Sequence, residues 1–123
     1  MGNPVVHFEI LGEDGEKLKS YYSDMFGWEI RSDNPMNYGI IMREENLSPE
    51  GIGIGGGIMG MEGSEGYSTF YVAVDDCEAA LAKAEELGGK RVRGPDEVPG
   101  QGIKIGMIED PEGHLVGILE NLG

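Results

Sequence analysis

The sequence predicts an α+β protein made of two βαβββ modules whose strands form a cupped eight-stranded mixed sheet. The first observation behind this prediction is an internal repeat, in which the stretch Val5–Ile10 matches Thr69–Val74. The second is that an acidic cap, a helix-like run ending in glycine and three strand-like segments follow each copy. One helix for four strands cannot cover both faces of a sheet. The other face must therefore be buried by the sister module, by a partner chain or around a ligand, which predicts a cleft.

The first module begins with a strand at 5–11, where β-branched and aromatic residues partly alternate with other types. Asp14 is the predicted N-cap of a helix that Gly27 ends in the left-handed conformation. The apolar face of this helix is predicted to consist of Leu18, Tyr21, Tyr22, Met25 and Phe26. Three more strands are expected, and the last is rich in glycine. They are placed at 28–31, 38–43 and 52–59, with a loop at 44–51.

The second module repeats this order, starting with a strand at 66–74. Asp75 and Glu78 have the spacing of a capping box, which predicts the start of the second helix. Its apolar face is predicted to consist of Cys77, Ala80, Leu81, Ala84 and Leu87. The remaining strands are placed at 90–93, 103–108 and 114–120, with a Pro/Gly-rich loop at 94–102 and a type I turn at 110–113. His114, directly after that turn, is interpreted as a turn-side polar residue.

The length of 123 residues suits a single domain, 1–123, with repeats at approximately 4–60 and 66–122. The chain has 23 acidic and 9 basic residues, and its formal charge of −14 predicts repulsion from nucleic acid and anionic membranes. A solvated acidic surface is the ordinary explanation of this excess. An acidic pocket that attracts a cation and a salt-rich cellular setting are the alternatives.

The single cysteine, Cys77, excludes an intrachain disulfide, which fits a reducing compartment. We see no basic segment followed by an apolar run at the N-terminus, and no apolar stretch of roughly 20 residues. These observations predict a soluble, cytoplasmic protein. Since Cys77 lies on the apolar face of its predicted helix, we interpret it as a buried structural thiol.

Several motifs together resemble one known family. They are Val-Val-His-Phe-Glu-Ile at 5–10, Phe-Gly-Trp at 26–28, Leu-Gly-Gly at 87–89 and the closing Asp-Pro-Glu-Gly-His with Leu-Glu at 119–120. With the βαβββ repeat, they resemble the vicinal oxygen chelate superfamily, which includes glyoxalase I, bleomycin-resistance proteins, extradiol dioxygenases and methylmalonyl-CoA epimerase. The resemblance extends from about residue 5 to residue 122 and is nearest to the short glyoxalase-like members. It implies the fold, while activity must be argued from the site.

The resemblance implies a divalent metal (zinc, nickel, iron or manganese) held by the first and last strands of each module. On this chain the matching ligands are His7 and Glu120, both suitable donor types. The other two positions depart from the family pattern, since one holds Thr69 and the other falls in Gly56-Gly57-Ile58. A catalytic metal site normally has three protein ligands. Glu9 is therefore a candidate third ligand, as is Tyr71 from its equivalent position.

The resemblance and these candidate ligands give two hypotheses for the function. In the first, the chain is a glyoxalase-like lyase or isomerase, or a dioxygenase-like enzyme, in which the metal polarises a small oxygen-rich substrate and Glu120 or Glu9 moves the proton. In the second, the chain binds an apolar or cationic small molecule without metal and without turnover, as antibiotic-sequestering relatives do. The candidate ligand-binding residues are Tyr38, Thr69, Tyr71 and Met107, for which ordinary core packing is the alternative. The resemblance also implies a homodimer.

Overall fold

The computed structural model describes residues Met1–Gly123 and contains eight strands and two α-helices in the order βαβββ, repeated once. The strands are β1 (Val5–Gly12), β2 (Ile30–Arg31), β3 (Gly39–Ile41), β4 (Gly55–Gly60), β5 (Tyr67–Val74), β6 (Lys90–Val98), β7 (Ile103–Glu109) and β8 (Leu115–Asn121). The helices are α1 (Gly15–Phe26) and α2 (Cys77–Glu86), and a short 3-10 helix spans Arg43–Glu45. The predicted α+β class with two βαβββ modules is confirmed. Neither α-helix is long and apolar enough to cross a membrane.

The chain forms two compact units. The first unit is His7–Ser68, and the second combines Met1–Val6 with Thr69–Gly123. The N-terminal segment belongs to the second unit because Ala73 donates its backbone N–H to the carbonyl of Pro4 at 2.9 Å. The N-terminal segment is thus bonded to β5, which starts the second repeat.

In the first unit the strand order is β2-β3-β4-β1, with β1 parallel to β4 and the other pairs antiparallel. Helix α1 packs on β4, and the Phe8 ring lies 5.3 Å from Trp28, which stacks on Tyr22 of the helix at 5.8 Å. Because side chains alternate along a strand, His7 and Glu9 point to the opposite side from Phe8. We call that side the helix-free face of the first unit.

Helix α1 begins and ends where the sequence predicts. The Asp14 carboxylate accepts a hydrogen bond from Lys17 N at 3.1 Å, which satisfies one of the free N–H groups of the first turn. Gly27 adopts φ 72° and donates its N–H to the carbonyl of Ser23. A positive φ is readily adopted by glycine, so the predicted left-handed cap is confirmed.

The predicted apolar face of α1 is only partly buried. Tyr21, Met25 and Phe26 are exposed, whereas Lys19, which the apolar pattern omits, is buried with 7% of its surface accessible. Strands β2 and β3 are short, with two and three residues. The strands predicted at 28–31, 38–43 and 52–59 are therefore too long, and the 3-10 helix spans the boundary between the predicted strand 38–43 and the predicted loop 44–51.

In the second unit the strand order is β5-β8-β7-β6, and β5 is parallel to β8. Helix α2 packs on β6, β7 and β8. Its contact face forms a core in which Cys77 and Leu81 are fully buried against Ile118. The thiol of Cys77 is therefore inside the protein, as its position on the apolar face predicted.

Two details of the second unit differ from the sequence prediction. Asp76, and not Asp75, is the N-cap of α2, since its side chain accepts from Ala79 N at 3.0 Å. Glu78 consequently lies one residue out of capping-box register, and its carboxylate instead pairs with Arg91 at 2.6 and 3.0 Å.

The segment predicted as a loop at 94–102 is strand in its first five residues and a turn in its last four. Strand β6 continues to Val98, and shifts in its register with β7 occur between Arg91 and Arg93 and between Arg93 and Asp96. Such irregularities let an extended strand accommodate the Gly94-Pro95 pair without losing its partner. The Pro/Gly composition predicts a loop, but antiparallel pairing with β7 keeps the chain extended as far as Val98.

Candidate functional site

A chain of four polar side chains lies in the first unit. His7 Nε2 is 2.8 Å from the hydroxyl of Tyr38, and that hydroxyl donates to Glu9 Oε1 at 2.8 Å. The hydroxyl of Tyr67 donates to the other oxygen, Glu9 Oε2, at 2.5 Å. Glu9 is 8% exposed, so its carboxylate is buried and satisfied by two tyrosine hydroxyls. We call this set, His7, Tyr38, Glu9 and Tyr67, the relay cluster.

The hydrogen bonds determine where the protons are. The Tyr38 hydroxyl has one proton and gives it to Glu9, so it can only accept from His7. His7 must therefore carry a proton on Nε2. Burial lowers the pKa of His7 below its ordinary value, and the nearby negative charge of Glu9 opposes that effect without cancelling it. At neutral pH, His7 is thus a neutral imidazole that donates through Nε2.

Gly57 makes room for the Tyr38 ring. Gly57 pairs with Glu9 in the β1–β4 ladder and so lies on the helix-free face. A Cβ at this position would lie 2.0 Å from Tyr38 Cε2 and Cζ. The ring therefore rests directly on the backbone of β4. A glycine within a strand allows such a close approach to the backbone, and here the approaching group is an aromatic side chain.

Glu120 lies on the helix side of the second unit. Its Oε1 accepts a hydrogen bond from the backbone N–H of Cys77 at 2.8 Å, at the first residue of α2. Glu120 lies two residues after Ile118 on β8, so both side chains project toward the helix. A carboxylate at this position satisfies a free N–H and interacts favourably with the positive helix end. This is a different role from the metal-ligand and proton-transfer roles that the family pattern predicts for Glu120.

The burial of Cys77 and the charge of Glu120 act on the thiol in the same direction. Burial raises the pKa of Cys77 above its ordinary value, and the carboxylate of Glu120 raises it further. A thiol with a raised pKa is a weak nucleophile. Its place in the core agrees with a structural role.

The other predicted ligand-binding residues are on the opposite side of the second unit. Tyr71 and Met107 are buried, and their ladder partner is Gly117, where a Cβ would lie 2.5 Å from the Tyr71 ring. Thr69 is buried and donates its hydroxyl to the carbonyl of Leu115 at 2.5 Å. All three are well packed, and a ligand-binding role for them stays a prediction.

His114 pairs with the turn that precedes it. Its Nδ1 lies 3.0 Å from the Asp110 carboxylate, and its backbone N–H donates to the same carboxylate. These hydrogen bonds lower the pKa of Asp110. The side chain of His114 is 73% exposed. The arrangement is that of a polar turn residue, as the sequence predicts.

Tyr67 is the member of the relay cluster that the sequence prediction omits. It precedes Thr69 and Tyr71 by two and four residues, so strand alternation is the signal that could have placed it on their side of β5. Tyr38 lies immediately before β3 and not within the strand predicted at 38–43. Its hydroxyl links His7 to Glu9, and its predicted contact with a ligand stays a prediction.

The family match covers most of the chain. A family model described as the Glyoxalase/Bleomycin resistance protein/Dioxygenase superfamily matches residues 5–118. The chain belongs to this superfamily. The resemblance carried by the sequence motifs is confirmed, and so is the fold that it implied.

Curated relatives of this superfamily member match over a shorter stretch. Two mycobacterial proteins with the name Putative glyoxylase CFP32, from Mycobacterium tuberculosis and Mycobacterium bovis, are 34% identical over 60 residues. That stretch is 49% of this chain and 23% of each relative. The match therefore spans less than a quarter of those proteins.

Solved structures of other superfamily members share the fold across nearly the whole chain. A variant of the methylmalonyl-CoA epimerase of Streptomyces coelicolor, in complex with 2-nitronate-propionyl-CoA, aligns with a TM-score of 0.64 and 13% identity, covering 98% of this chain and 99% of that one. A glyoxalase/bleomycin resistance protein/dioxygenase superfamily member from Vibrio splendidus 12B01 aligns with a TM-score of 0.60 and 19% identity, covering 98% and 100%. At these identities the likeness concerns the fold.

The residues of this chain do not fit the metal site that the superfamily implies. In neither unit do three or more His, Cys, Asp or Glu side chains converge in a way that could hold a metal ion. His7 and Glu9 are joined through Tyr38, and Glu120 is bonded to the start of α2. Three protein ligands are the usual minimum for a catalytic metal. The residues therefore do not supply the ligand set that a step through a metal would need.

Proposed function

We propose that this superfamily member is an enzyme of the isomerase or lyase type that moves a proton at a carbon next to a carbonyl in a small oxygen-rich substrate. The observation that supports it is the relay cluster, in which one buried carboxylate and one neutral imidazole share a tyrosine hydroxyl. Proton transfer of this kind needs a base near the carbon and a hydrogen-bond donor near the oxygen. The cluster holds both types of group within 2.8 Å of each other.

Glu9 is the proposed base. When the substrate carbonyl takes the hydrogen bond of Tyr38, Glu9 Oε1 loses a donor and can accept the proton of the adjacent carbon. The C–H bond breaks, its electron pair forms a carbon–carbon double bond, and the π pair of the carbonyl moves to the oxygen, which gives an enolate. The carboxylic acid of Glu9 then returns the proton to a carbon of the enolate, which regenerates the carboxylate. No other reactant is consumed.

Tyr38 and His7 are the proposed stabilisers of the enolate oxygen. A neutral imidazole that donates to the tyrosine oxygen makes the tyrosine O–H a stronger donor, since hydrogen bonds in a chain polarise one another. Tyr67 remains bonded to Glu9 Oε2 and keeps the carboxylate oriented. A donor that meets developing negative charge in a water-poor site contributes roughly 100-fold to 1000-fold in rate.

The test is deuterium exchange at the acidic carbon, followed by NMR in D2O. The compounds are α-keto acids and the hemithioacetal that forms from methylglyoxal and a thiol. We expect exchange that falls on the order of 100-fold to 10,000-fold in Glu9→Gln and 100-fold to 1000-fold in Tyr38→Phe. His114→Gln, which changes the exposed histidine, is the matched control and should exchange like the wild type. Equal rates in Glu9→Gln and wild type would refute the assignment of the base.

Metal content is measured together with deuterium exchange, because the resemblance to the superfamily implies a metal. Protein purified without a tag or chelator is analysed by mass spectrometry, as are His7→Ala and Glu120→Ala. We expect no stoichiometric zinc, nickel, iron or manganese that depends on both residues. A full equivalent lost in both variants would contradict the metal-independent step and support a chelate mechanism.

A second candidate function is binding without turnover. The observation in its favour is that both oxygens of Glu9 already accept a hydrogen bond from a tyrosine hydroxyl. The same arrangement would suit a polar surface that binds a ligand without reacting with it. The net charge of −14 would favour a cationic ligand. Calorimetric titration with bleomycin, a cationic compound that the superfamily name suggests, tests this function. Saturable binding with no deuterium exchange in any compound would favour it over the enzyme.

The oligomeric state belongs to the same proposal. We propose a homodimer, because the resemblance that identified the superfamily implies one. Sedimentation equilibrium on the whole chain is the direct measurement. A monomer at all concentrations up to those used for NMR would contradict it.

A further inference from the structure

The side chain of Asn34 holds the backbone of Tyr38. Tyr38 immediately precedes β3, which begins at Gly39. Asn34 Oδ1 accepts from Tyr38 N at 2.9 Å, and Asn34 Nδ2 donates to Tyr38 O at 2.8 Å. The position of the Tyr38 hydroxyl between His7 and Glu9 therefore depends on the loop at 32–38.

Asn37, the residue before Tyr38, has a backbone conformation that is unusual for its type. Its φ is 53°, and among the residues other than glycine it is the one with a positive φ. Asparagine tolerates this region better than most residues, yet the conformation needs support from its surroundings. That support comes from α1, because the carbonyl of Asn37 accepts from Lys19 Nζ at 2.8 Å.

Lys19 is a buried cation on α1. It is 7% exposed, and its Nζ donates to the carbonyl of Asn37 and to Glu16 Oε2 at 3.2 Å. The amide of Asn37 donates to the same Glu16 oxygen at 3.2 Å. Burying an ammonium group is costly unless it is paired and hydrogen-bonded. Three groups thus form a closed clasp, which we define as Lys19, Glu16 and Asn37.

The stem of Lys19 also contacts the first residue of β3. A Cβ at Gly39 would lie 2.9 Å from Lys19 Cε, so the lysine chain passes close to the backbone on the C-terminal side of Tyr38. Lys19 therefore touches the residue before Tyr38 and the residue after it. A leucine in this position would fill the space beside Gly39 but would leave the Asn37 carbonyl without this donor.

We propose that Lys19, through the clasp with Glu16 and Asn37, is a positioning residue that sets the Tyr38 hydroxyl in the relay cluster. This inference rests on the proposed function for its catalytic meaning. Its physical claim, that the clasp controls the His7–Tyr38 hydrogen bond, concerns the free protein and can be measured without any substrate. The claim about the His7–Tyr38 hydrogen bond and the claim about catalysis can therefore be refuted separately.

The measurement is the ring N–H signal of His7 in a nitrogen-proton NMR spectrum at neutral pH. The chain has two histidines, and His114 is exposed, so a ring proton protected by a hydrogen bond belongs to His7. His7→Gln confirms the assignment, and Tyr38→Phe shows the spectrum without the partner hydroxyl. We expect Lys19→Met, which keeps the length and apolar stem, to lose the signal as Tyr38→Phe does.

Matched variants separate positioning from general destabilisation. Lys17→Met removes an exposed lysine from the same helix and should keep the signal. Asn37→Gly keeps the carbonyl and tolerates the positive φ, so it should also keep the signal, whereas Asn37→Val should lose it. If Lys19→Met folds with the signal intact, the proposal is overturned. If Lys19→Met does not fold, the comparison of Asn37→Gly with Asn37→Val tests the proposal. Equal His7 signals in these two variants would overturn the proposal.

Turnover provides the link to function. Where deuterium exchange is detectable in the wild type, Lys19→Met should lower kcat on the order of 100-fold with little change in KM, since misplacing a catalytic group by about 1 Å has an effect of that size. Loss of the NMR signal with unchanged exchange would overturn the catalytic meaning of the clasp. If Lys19→Met loses the signal and the wild type shows no deuterium exchange, the proposed function is refuted. The positioning role of the clasp then still stands.

Discussion

Gly57 is the residue whose smallness places Tyr38 against the sheet. A methyl group there would lie 2.0 Å from the Tyr38 ring, well inside contact distance. Gly57→Ala should therefore push the ring off β4 and destabilise the protein by roughly 1–3 kcal/mol, as over-packing does. Urea unfolding measures this change. Gly2→Ala, where a Cβ meets nothing within 4 Å, is the control and should stay within about 0.5 kcal/mol of wild type.

His7 should make stability depend on pH. Its pKa in the folded protein lies below the ordinary value of 6.5, chiefly because it is buried. Between these two values the unfolded chain binds more protons, so its contribution is fully present above about pH 6.5 and is lost as the pH falls through the folded pKa. Urea unfolding at about pH 8 and about pH 5.5 should show a smaller decrease for His7→Gln than for wild type. Equal decreases would contradict the burial of a neutral His7.

Single residues also show how far the sequence could lead. The types of His7 and Glu9 and their shared face follow from strand alternation. The contacts of Tyr38 do not, because they depend on a glycine in another strand and on a lysine reaching from α1. Such contacts link residues that no local pattern connects.

At the scale of elements, the repeat and the caps predicted most of the structure. The N-cap at Asp14 and the left-handed Gly27 follow from local chemistry and are found as predicted. The helix start at Asp76 was missed by one residue, because two adjacent aspartates offer equivalent caps and Glu120 adds an acceptor from a distant strand. The contact of Glu120 with α2 could be predicted from the sequence, since Glu120 lies on the same side of β8 as the buried Ile118.

Glu120 should stabilise α2. Its carboxylate accepts from Cys77 N at the first helical residue, so Glu120→Ala leaves that N–H without this acceptor. We expect a loss of about 1–2 kcal/mol in urea unfolding, comparable to the loss for Asp76→Ala at the N-cap. Glu120→Gln keeps an oxygen acceptor and should retain more of the stability. If Glu120→Ala were as stable as wild type but had lost a bound divalent metal, the ligand role would be restored.

At the scale of the whole molecule, the acidic excess bears on stability. The formal charge is −14 in a chain of 123 residues, and like charges destabilise a compact state. At roughly 0.1 M sodium chloride, repulsion between exposed charges more than about 10 Å apart is largely screened. The melting temperature should therefore rise as the salt concentration increases from about 10 mM to about 300 mM.

The matched variant for this prediction changes Glu50, Glu62 and Glu65 to glutamine together. All three are exposed, and the change reduces the net charge by three units. It should raise the melting temperature at low salt and flatten its dependence on salt, because less repulsion remains to be screened. A steep rise caused by micromolar divalent cations, with sodium chloride of equal ionic strength ineffective, would contradict screening. It would point instead to a discrete cation site among the carboxylates, which was the alternative explanation of the acidic composition.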